Sequence, residues 1–493
     1  MKNIIYFFLI FILASCSKKF LEIFPETTLN EGNFYKTESD FINLANGCYV
    51  PMRDNEKTNH WRISEFISDN GTKQYNPTTG DVDVTPIDQF LITAENRSYS
   101  GFWDLSYNGI TRCNKLLFEI NNRDISWSDI SLKDRCIGEA LFLRGLYYFN
   151  LVRQYGGIPL VLTSITSQES VGIKRSTEEV VYESIVSDLK QAVIHFSNAE
   201  SVKENGRANL GAANALLGKV YLTLKDYNDA KTVLESVINS GNYVLLSNYT
   251  SLFDPTNKDF KETIFAIQYS ENTAELSNSF IFSFAPWNSK GKITTRANVN
   301  ISGSGGYNVP TQELIDAFEP GDVRKDVSIK YWTGPDWDNV VRSLPYCAKY
   351  KPPVSAPDNR CGDNLPVIRY SDVLLMYAEV LNNLGNTGQA IPYIEKVRNR
   401  AGLMNPLTGY DKLKLDSLIA KERQKEFCFE NQRWYDLKRT GKAIEVMNAQ
   451  GARLKAAYPF LPANSYELNA NMLLAPIPGQ QVLLNKIEQN PGY

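Results

Sequence analysis

The sequence predicts an all-α, mostly helical fold in which tetratricopeptide-like helical hairpins carry an irregular, loop-rich ligand-binding region. Three observations predict it. Long stretches place apolar residues at helical spacing and end at glycine or proline. A pattern of small and large residues recurs in two of these stretches, 160 positions apart. Between the two copies, residues 246 to 368 lose helical periodicity and fill instead with Pro, Gly, Asn, Ser and aromatic residues.

Taken in order, residues 130 to 155, "ISLKDRCIGEALFLRGLYYFNLVRQY", are apolar on almost every side, which marks a buried helix, and Gly156-Gly157 with Pro159 end it. "RSTEEVVYESIVSDLKQAVIHF" then sets Ser176 and Glu179 at capping-box spacing ahead of an apolar stripe through Val180, Val181, Ile185, Leu189, Val193 and Phe196. In "GAANALLGKVYLTLKDYNDAKTVLESVINSGNY", Leu217, Gly218, Tyr221, Ala230 and Leu234 fall at the spacing of a tetratricopeptide unit. Tyr377, Ala378, Leu381, Ala390 and Ile394 repeat that register. Small residues at 218, 230, 378 and 390 let two antiparallel helices approach closely. Two units cannot make a stack alone, so degenerate pairs such as 130 to 197 must complete it. Trp103 and Trp434 lie in helical blocks and are assigned to the core.

The chain has 493 residues, 43% of them hydrophobic and 22% charged, with a formal net charge of −3, values that describe a globular protein with a substantial core. No Lys/Arg-rich run supplies a field for phosphate backbones, so nucleic acid is not an expected partner. At the N-terminus, Lys2, the apolar run Ile4 to Leu13 and the small residues Ala14 and Ser15 precede Cys16. That run is about half the roughly 20 residues of a membrane span and has the build of an export signal. Leu13-Ala14-Ser15-Cys16 looks like a bacterial lipobox, making residues 1–15 a lipoprotein signal peptide and Cys16 the lipid attachment site. The other six cysteines are spread too widely for a disulfide scaffold. Cys347 and Cys361 bracket the loop "AKYKPPVSAPDNR" and form the candidate disulfide.

Catalytic signals are weak. With no CxxC pair and only His60 and His195, no metal site is expected, and no cofactor is implied. The sequence contains no GxSxG elbow and no GxxxxGK[ST] loop. Asp372 and Glu379 share one helix, but seven residues separate them by about 10 Å, beyond the ~5 Å of a retaining glycosidase. They read as buried charges paired with neighbours such as Arg369, and Glu422, Glu426 and Glu430 read as a charged helix face. His195 falls in an amphipathic run and reads as structural, whereas His60, beside Trp61, is a candidate ligand contact. The chain is therefore not expected to be an enzyme. Binding fits better: a sugar offers weakly apolar C–H faces and hydroxyl edges, which call for flat aromatic platforms flanked by amide, carboxylate and guanidinium groups. Trp61, Tyr75, Trp287, Tyr331, Trp332 and Trp337 stand in such surroundings and are the candidate stacking residues.

The blocks "NVPTQELIDAFEPGDVRKDVSI" (308–329), "DNLPVIRYSDVLLMYAEVLNNLG" (363–385), "VRNRAGL" (397–403), "KERQKEFCFENQRWYDLKRTGK" (421–442) and "PIPGQQVLLNKIEQNPGY" at the end resemble the SusD/RagB family of outer-membrane nutrient-binding lipoproteins of Bacteroidetes. "FLEIFPETT", "FWDLSYNGITRCNKLL" and "EALFLRGLYYFNLVRQYGGIPL" fit the same pattern upstream, in the family's order. The resemblance implies an N-terminal SusD-like helical region (16–245) and a C-terminal RagB/SusD region (246–493), whose 246–368 insert is aromatic and loop-rich. It also implies a lid on a SusC-like TonB-dependent outer-membrane transporter, capturing oligosaccharide or, alternatively, peptide. The expected location is the outer membrane, lipid-anchored and surface-exposed, although Lys18-Lys19 stand where surface lipoproteins of these bacteria often carry acids.

Overall fold

The computed structural model describes residues 35–77, 80–199, 206–258, 261–289, 292–294, 305–353 and 360–493, so the signal peptide and Cys16 lie outside the described residues. Helix α1 (Glu38–Asn55) opens on a capping box between Thr37 and Asp40 and runs on through two π-helical turns, Glu56–His60 and Arg62–Phe66. There follow α2 (Arg97–Asn122), α3 (Ile130–Tyr155), α4 (Glu178–Asn198), α5 (Leu210–Leu224), α6 (Tyr227–Asn239), α7 (Tyr370–Asn383) and α8 (Thr387–Arg400). Each of these helices packs on the next, α1 on α2 through α7 on α8, as one continuous stack of antiparallel pairs. The pair α3/α4 completes the stack ahead of the two recognisable repeats, as the spacing argument requires.

Helix α3 is buried along most of its length and ends at Gly156, whose φ of +73° is the backbone state that favours glycine. Helix α4 starts one residue later than the capping-box spacing predicts. Its N-cap is Thr177, because Ser176 belongs to a short strand, Arg175–Ser176, paired with Ile158–Pro159.

Ala230, Ala378 and Ala390 are wholly buried at the hairpin interfaces. At Gly218 the approach is closer still, since a Cβ there would lie 2.5 Å from Cδ2 of Leu234 on α6. Gly218→Ala is therefore expected to lose about 1–3 kcal/mol to overpacking, even though alanine is the better helix former by about 1 kcal/mol. Urea melts test this, and a variant as stable as the parent would show that α5 and α6 are not in tight register.

The region between α6 and α7 contributes antiparallel two-stranded ribbons, one of them completed by a strand from the connection between α1 and α2. β1 (Gly71–Thr72) pairs with β3 (Val309–Pro310), β2 (Thr263–Ile267) with β6 (Leu365–Arg369), and β4 (Ile329–Pro335) with β5 (Val341–Cys347). The β2/β6 ribbon is almost wholly buried against α5. Beyond the stack lie α9 (Lys412–Glu426), α10 (Arg433–Arg439) and α11 (Ala443–Ala457). Trp103 and Trp434 are in the core, as expected. Among the described residues no helix is long and apolar enough to cross a membrane.

Two expectations are corrected here. Cys347 and Cys361 are not bonded: both are free, buried thiols, Cys347 in the main core and Cys361 in a separate apolar cluster with Ile281 and Phe282. Burial pushes both thiols well above the usual range, which keeps them unreactive in the fold. Alkylation after unfolding without reductant is expected to label both, and a mass for a closed 347–361 bridge would contradict the arrangement.

Glu422, Glu426 and Glu430 do not form a solvated helix face. All three are buried. Glu422 meets Arg324 at 2.6 Å and Arg398 at 3.1 Å, while Glu426 meets Arg369 at 2.7 Å and Arg324 at 3.0 Å. Glu430 bridges Arg369 at 2.8 Å and Lys349 at 2.7 Å. Their partners come from distant segments, so the C-terminal turn of α9 is buried by charge pairing, while Leu415 and Ile419 anchor its first turns in the apolar core.

Candidate functional site

The six candidate stacking residues separate into core and surface. Trp61 is only 3% exposed, its ring edge-on to Phe284 at 5.2 Å and to Phe66 at 6.1 Å, because the π-helical turns after α1 carry it inward. Tyr75 is 5% exposed, and its hydroxyl lies in a buried group with Tyr466, Asp88 and Thr72. Burial pushes the Asp88 carboxyl up to about 6 against the hydrogen bonds it accepts from Tyr466, Tyr75 and Thr72. Neither ring is available as a platform. His60 is corrected likewise, since its Nδ1 contacts Glu56 at 2.7 Å and its Nε2 the Tyr435 hydroxyl at 3.1 Å, both inside the core.

The insert behaves differently. Trp287, at the head of a short 3₁₀ turn (Trp287–Ser289), is 36% exposed, and Trp337, at the tip of the β4/β5 hairpin, is 37% exposed. Tyr331 and Trp332 project from β4 on alternate faces, Tyr331 half exposed at the base of the hairpin. The Trp332 ring lies along its own strand over Gly334, where a Cβ would stand 2.1 Å from Cη2, so only glycine admits this ring position.

Gln74, which shows no sequence pattern, joins the two exposed tryptophans. Its Oε1 accepts from the Trp287 backbone N–H at 3.1 Å, while its Nε2 donates to Asp336 at 3.0 Å and to Asn288 at 3.3 Å. Asn288 in turn donates to the Pro335 carbonyl. One buried amide thus ties the 71–76 loop and the 287–289 turn to the hairpin tip. The tip is closed by Asp336 N–H donating to Val340 O at 2.9 Å and by Arg342, which reaches Asp336 at 3.3 Å and chelates Asp338. Hydrogen bonds from Arg342 hold the Asp338 carboxyl at about 2.

Two further aromatics, absent from the sequence-based set, border this surface. The Tyr458 ring meets that of Tyr75 at 4.7 Å, tilted by 48°, and meets Phe460, 43% exposed, at 5.9 Å. Burial and the charge of Asp336, at the hairpin tip, together push the Tyr458 hydroxyl up. Their sequence signal is the aromatic-proline run "AAYPFLP" after α11.

The carboxylates considered for catalysis are occupied. Asp372 is paired with Lys219 at 2.6 Å and Arg423 at 2.8 Å, not with Arg369, and Glu379 is held by Arg439. His195 contacts Asp134 at 2.6 Å in a helix-to-helix link.

A stack of helical hairpins presenting a loop-borne aromatic surface with polar edges defines a class: binding proteins built on a helical-repeat scaffold. The chain is similar to the SusD family over both its N-terminal and its C-terminal parts. Residues 345–493 match the SusD family itself, residues 19–222 match the related family described as starch-binding and associating with the outer membrane, and residues 212–240 match a tetratricopeptide repeat. SusD-like protein P25 of Formosa agariphila is 26% identical over an alignment of 533 positions that covers 99% of both chains. Among solved structures, a laminarin-binding SusD-like protein is 27% identical with a TM-score of 0.76, over 93% of this chain and all of the other. A surface glycan-binding protein A from Bacteroides fluxus shares the fold at 23% identity and a TM-score of 0.76, over 93% of this chain and all of the other.

Proposed function

We propose that the protein is a non-catalytic, lipid-anchored glycan-binding protein of the outer membrane, capturing oligo- or polysaccharide for a partner SusC-like TonB-dependent transporter. The observation that carries this reading is the Gln74 tie, which joins the two turns that carry Trp287 and Trp337, each more than one-third exposed, near Asn288, Asp336, Asp338 and Arg342. Rings carried on turns that are already tied together have less freedom to lose on stacking against sugar faces, and the charged and amide edges meet hydroxyls. The laminarin-binding relative supports glycan over peptide. A lipid on Cys16 would anchor the protein beside its transporter and raise the effective concentration of each for the other.

Calorimetry of the purified protein against a panel of polysaccharides including laminarin, with an assay for released reducing ends, tests this. Saturable binding of at least one glycan without release is expected. Binding of peptide mixtures alone would replace glycan by peptide as ligand, and release of reducing sugar would overturn the non-catalytic reading.

A further inference from the structure

A cavity of about 440 Å³ opens among the C-terminal ends of α3 and α5, helix α10 and Leu473-Leu474, sharing no residue with the tryptophan surface. Its volume is in the range of small-molecule sites, roughly 300–1,000 Å³. Six cations line it; Lys225 is exposed to solvent, and three of the other five are neutralised. Lys219 reaches Asp372 at 2.6 Å, Arg423 reaches Asp372 and Asp436 at 2.8 Å each, and Arg439 reaches Asp436 at 2.8 Å as well as Glu379.

Arg153 and Lys438 are the exceptions. The Arg153 guanidinium lies between the rings of Phe149 and Tyr435, 3.9 and 3.8 Å from their centroids, and donates to Phe149 O at 3.2 Å and to Asn150 Oδ1. Lys438 Nζ donates to two carbonyls, Leu473 O at 3.1 Å and Arg153 O. Among the described residues, neither cation has a carboxylate within ion-pair distance. Two unmatched positive charges beside one cavity are costly unless something negative enters it. Burial and the Arg153 charge push the Lys438 ammonium down to about 7, and the Glu178 charge only partly opposes them. Glu178, the remaining carboxylate at this cavity, makes no ion-pair contact with either cation, although its charge partly offsets that of Lys438. The opposite wall, from Leu222, Met376, Leu473 and Leu474, is apolar.

We propose that this cavity binds a small organic anion, its carboxylate, sulfate or phosphate group held between Arg153 and Lys438 and its body against the leucine wall. Such a site gives the protein a second ligand, selected by charge where the tryptophan surface selects by shape.

The test is calorimetry of the purified protein with glucuronate, glucose 6-sulfate and glucose 6-phosphate, against glucose and inorganic sulfate. The three sugar anions distinguish the head groups, and sulfate alone shows whether the apolar wall contributes. At least one sugar anion is expected to bind saturably at millimolar concentration while glucose does not. Lys438→Met is expected to weaken it about tenfold or more. Glu178→Gln, which removes the opposing charge, is expected to strengthen it, and this gain keeps the test decisive if Arg153→Gln fails to fold. Trp287→Ala is expected to leave it unchanged. No saturable binding of any anion, or binding indifferent to both Lys438→Met and Glu178→Gln, would overturn the proposal.

Discussion

Arg369→Ala is expected to lower the unfolding free energy by about 3–5 kcal/mol, the cost of leaving buried charge without its partner. Arg369 is 1% exposed. Its guanidinium donates to Glu430 at 2.8 and 2.9 Å, to Glu262 at 2.9 Å, to Glu426 at 2.7 Å and to Ser371 Oγ at 2.7 Å. Arg324, Arg400 and Lys349 share these carboxylates but cannot replace the missing charge, because each already has its own contacts. Arg369→Lys keeps the charge but not the planar fork, so it is expected to recover only part of the loss.

The pH dependence has a definite sign. Burial would raise the Glu426 carboxyl, but Arg400, Arg369 and Arg324 outweigh it and hold the group well below the usual range. A depressed pKa contributes stability that is present above the unfolded-state value, about 4.3, and is lost as pH falls toward the folded one. The parent is therefore expected to weaken on acidification below about pH 4. The Arg369→Ala deficit, by contrast, is expected to shrink between pH 7 and 5, where an unmatched carboxylate can take up a proton. Denaturant melts across that range measure both, and a deficit below about 1 kcal/mol at pH 7 would mean the network relaxes around the gap.

Trp287→Ala and Trp337→Ala are each expected to weaken glycan binding by about tenfold or more while changing stability by no more than about 1 kcal/mol. Both rings are more than one-third exposed, so truncation opens no cavity. Trp61→Ala is the contrasting control: its ring is buried among Phe66, Phe284 and Tyr307, and its loss is expected to cost about 3–5 kcal/mol. Gln74→Ala is expected to weaken binding through displacement of both tryptophans, although Gln74 is itself 7% exposed. Unchanged affinity in both surface tryptophan variants, measured on the glycan with the strongest response, would remove this surface from the site.

Why Trp287 and Trp61 look alike in sequence is instructive. Both precede a polar residue in a stretch without clean periodicity, "PWNS" and "HWRI". What separates them is the helix running on from α1 through π-helical turns, whose irregular hydrogen bonding leaves no 3.6-residue signature. The helical stack was legible because its small residues at 218, 230, 378 and 390 answer a local packing demand. The glutamates of α9 were not, because i, i+4 spacing is the same on a wet face and in a buried network. Arg324, Lys349 and Arg369, which decide the matter, stand well over 50 residues upstream of their nearest glutamate partners or are reached only through the fold. Gln74 was illegible for a related reason: its partners lie 213 to 262 positions away.

The packing of α6 against α7 also governs how the chain can be assembled. These neighbouring helices are separated in sequence by the whole aromatic region, from Asn239 to Tyr370. A nascent chain can form the pairs up to α6 by local contacts, but α6 then presents an uncovered apolar flank until the later segment arrives. Closing a loop of this length is entropically slow, and contacts of such separation form late. During folding the chain therefore passes through a half-stack with exposed apolar surface, the kind of species that aggregates unless it is shielded. The same long connection that displays Trp287 and Trp337 makes the fold dependent on delivery of the full chain before it can close.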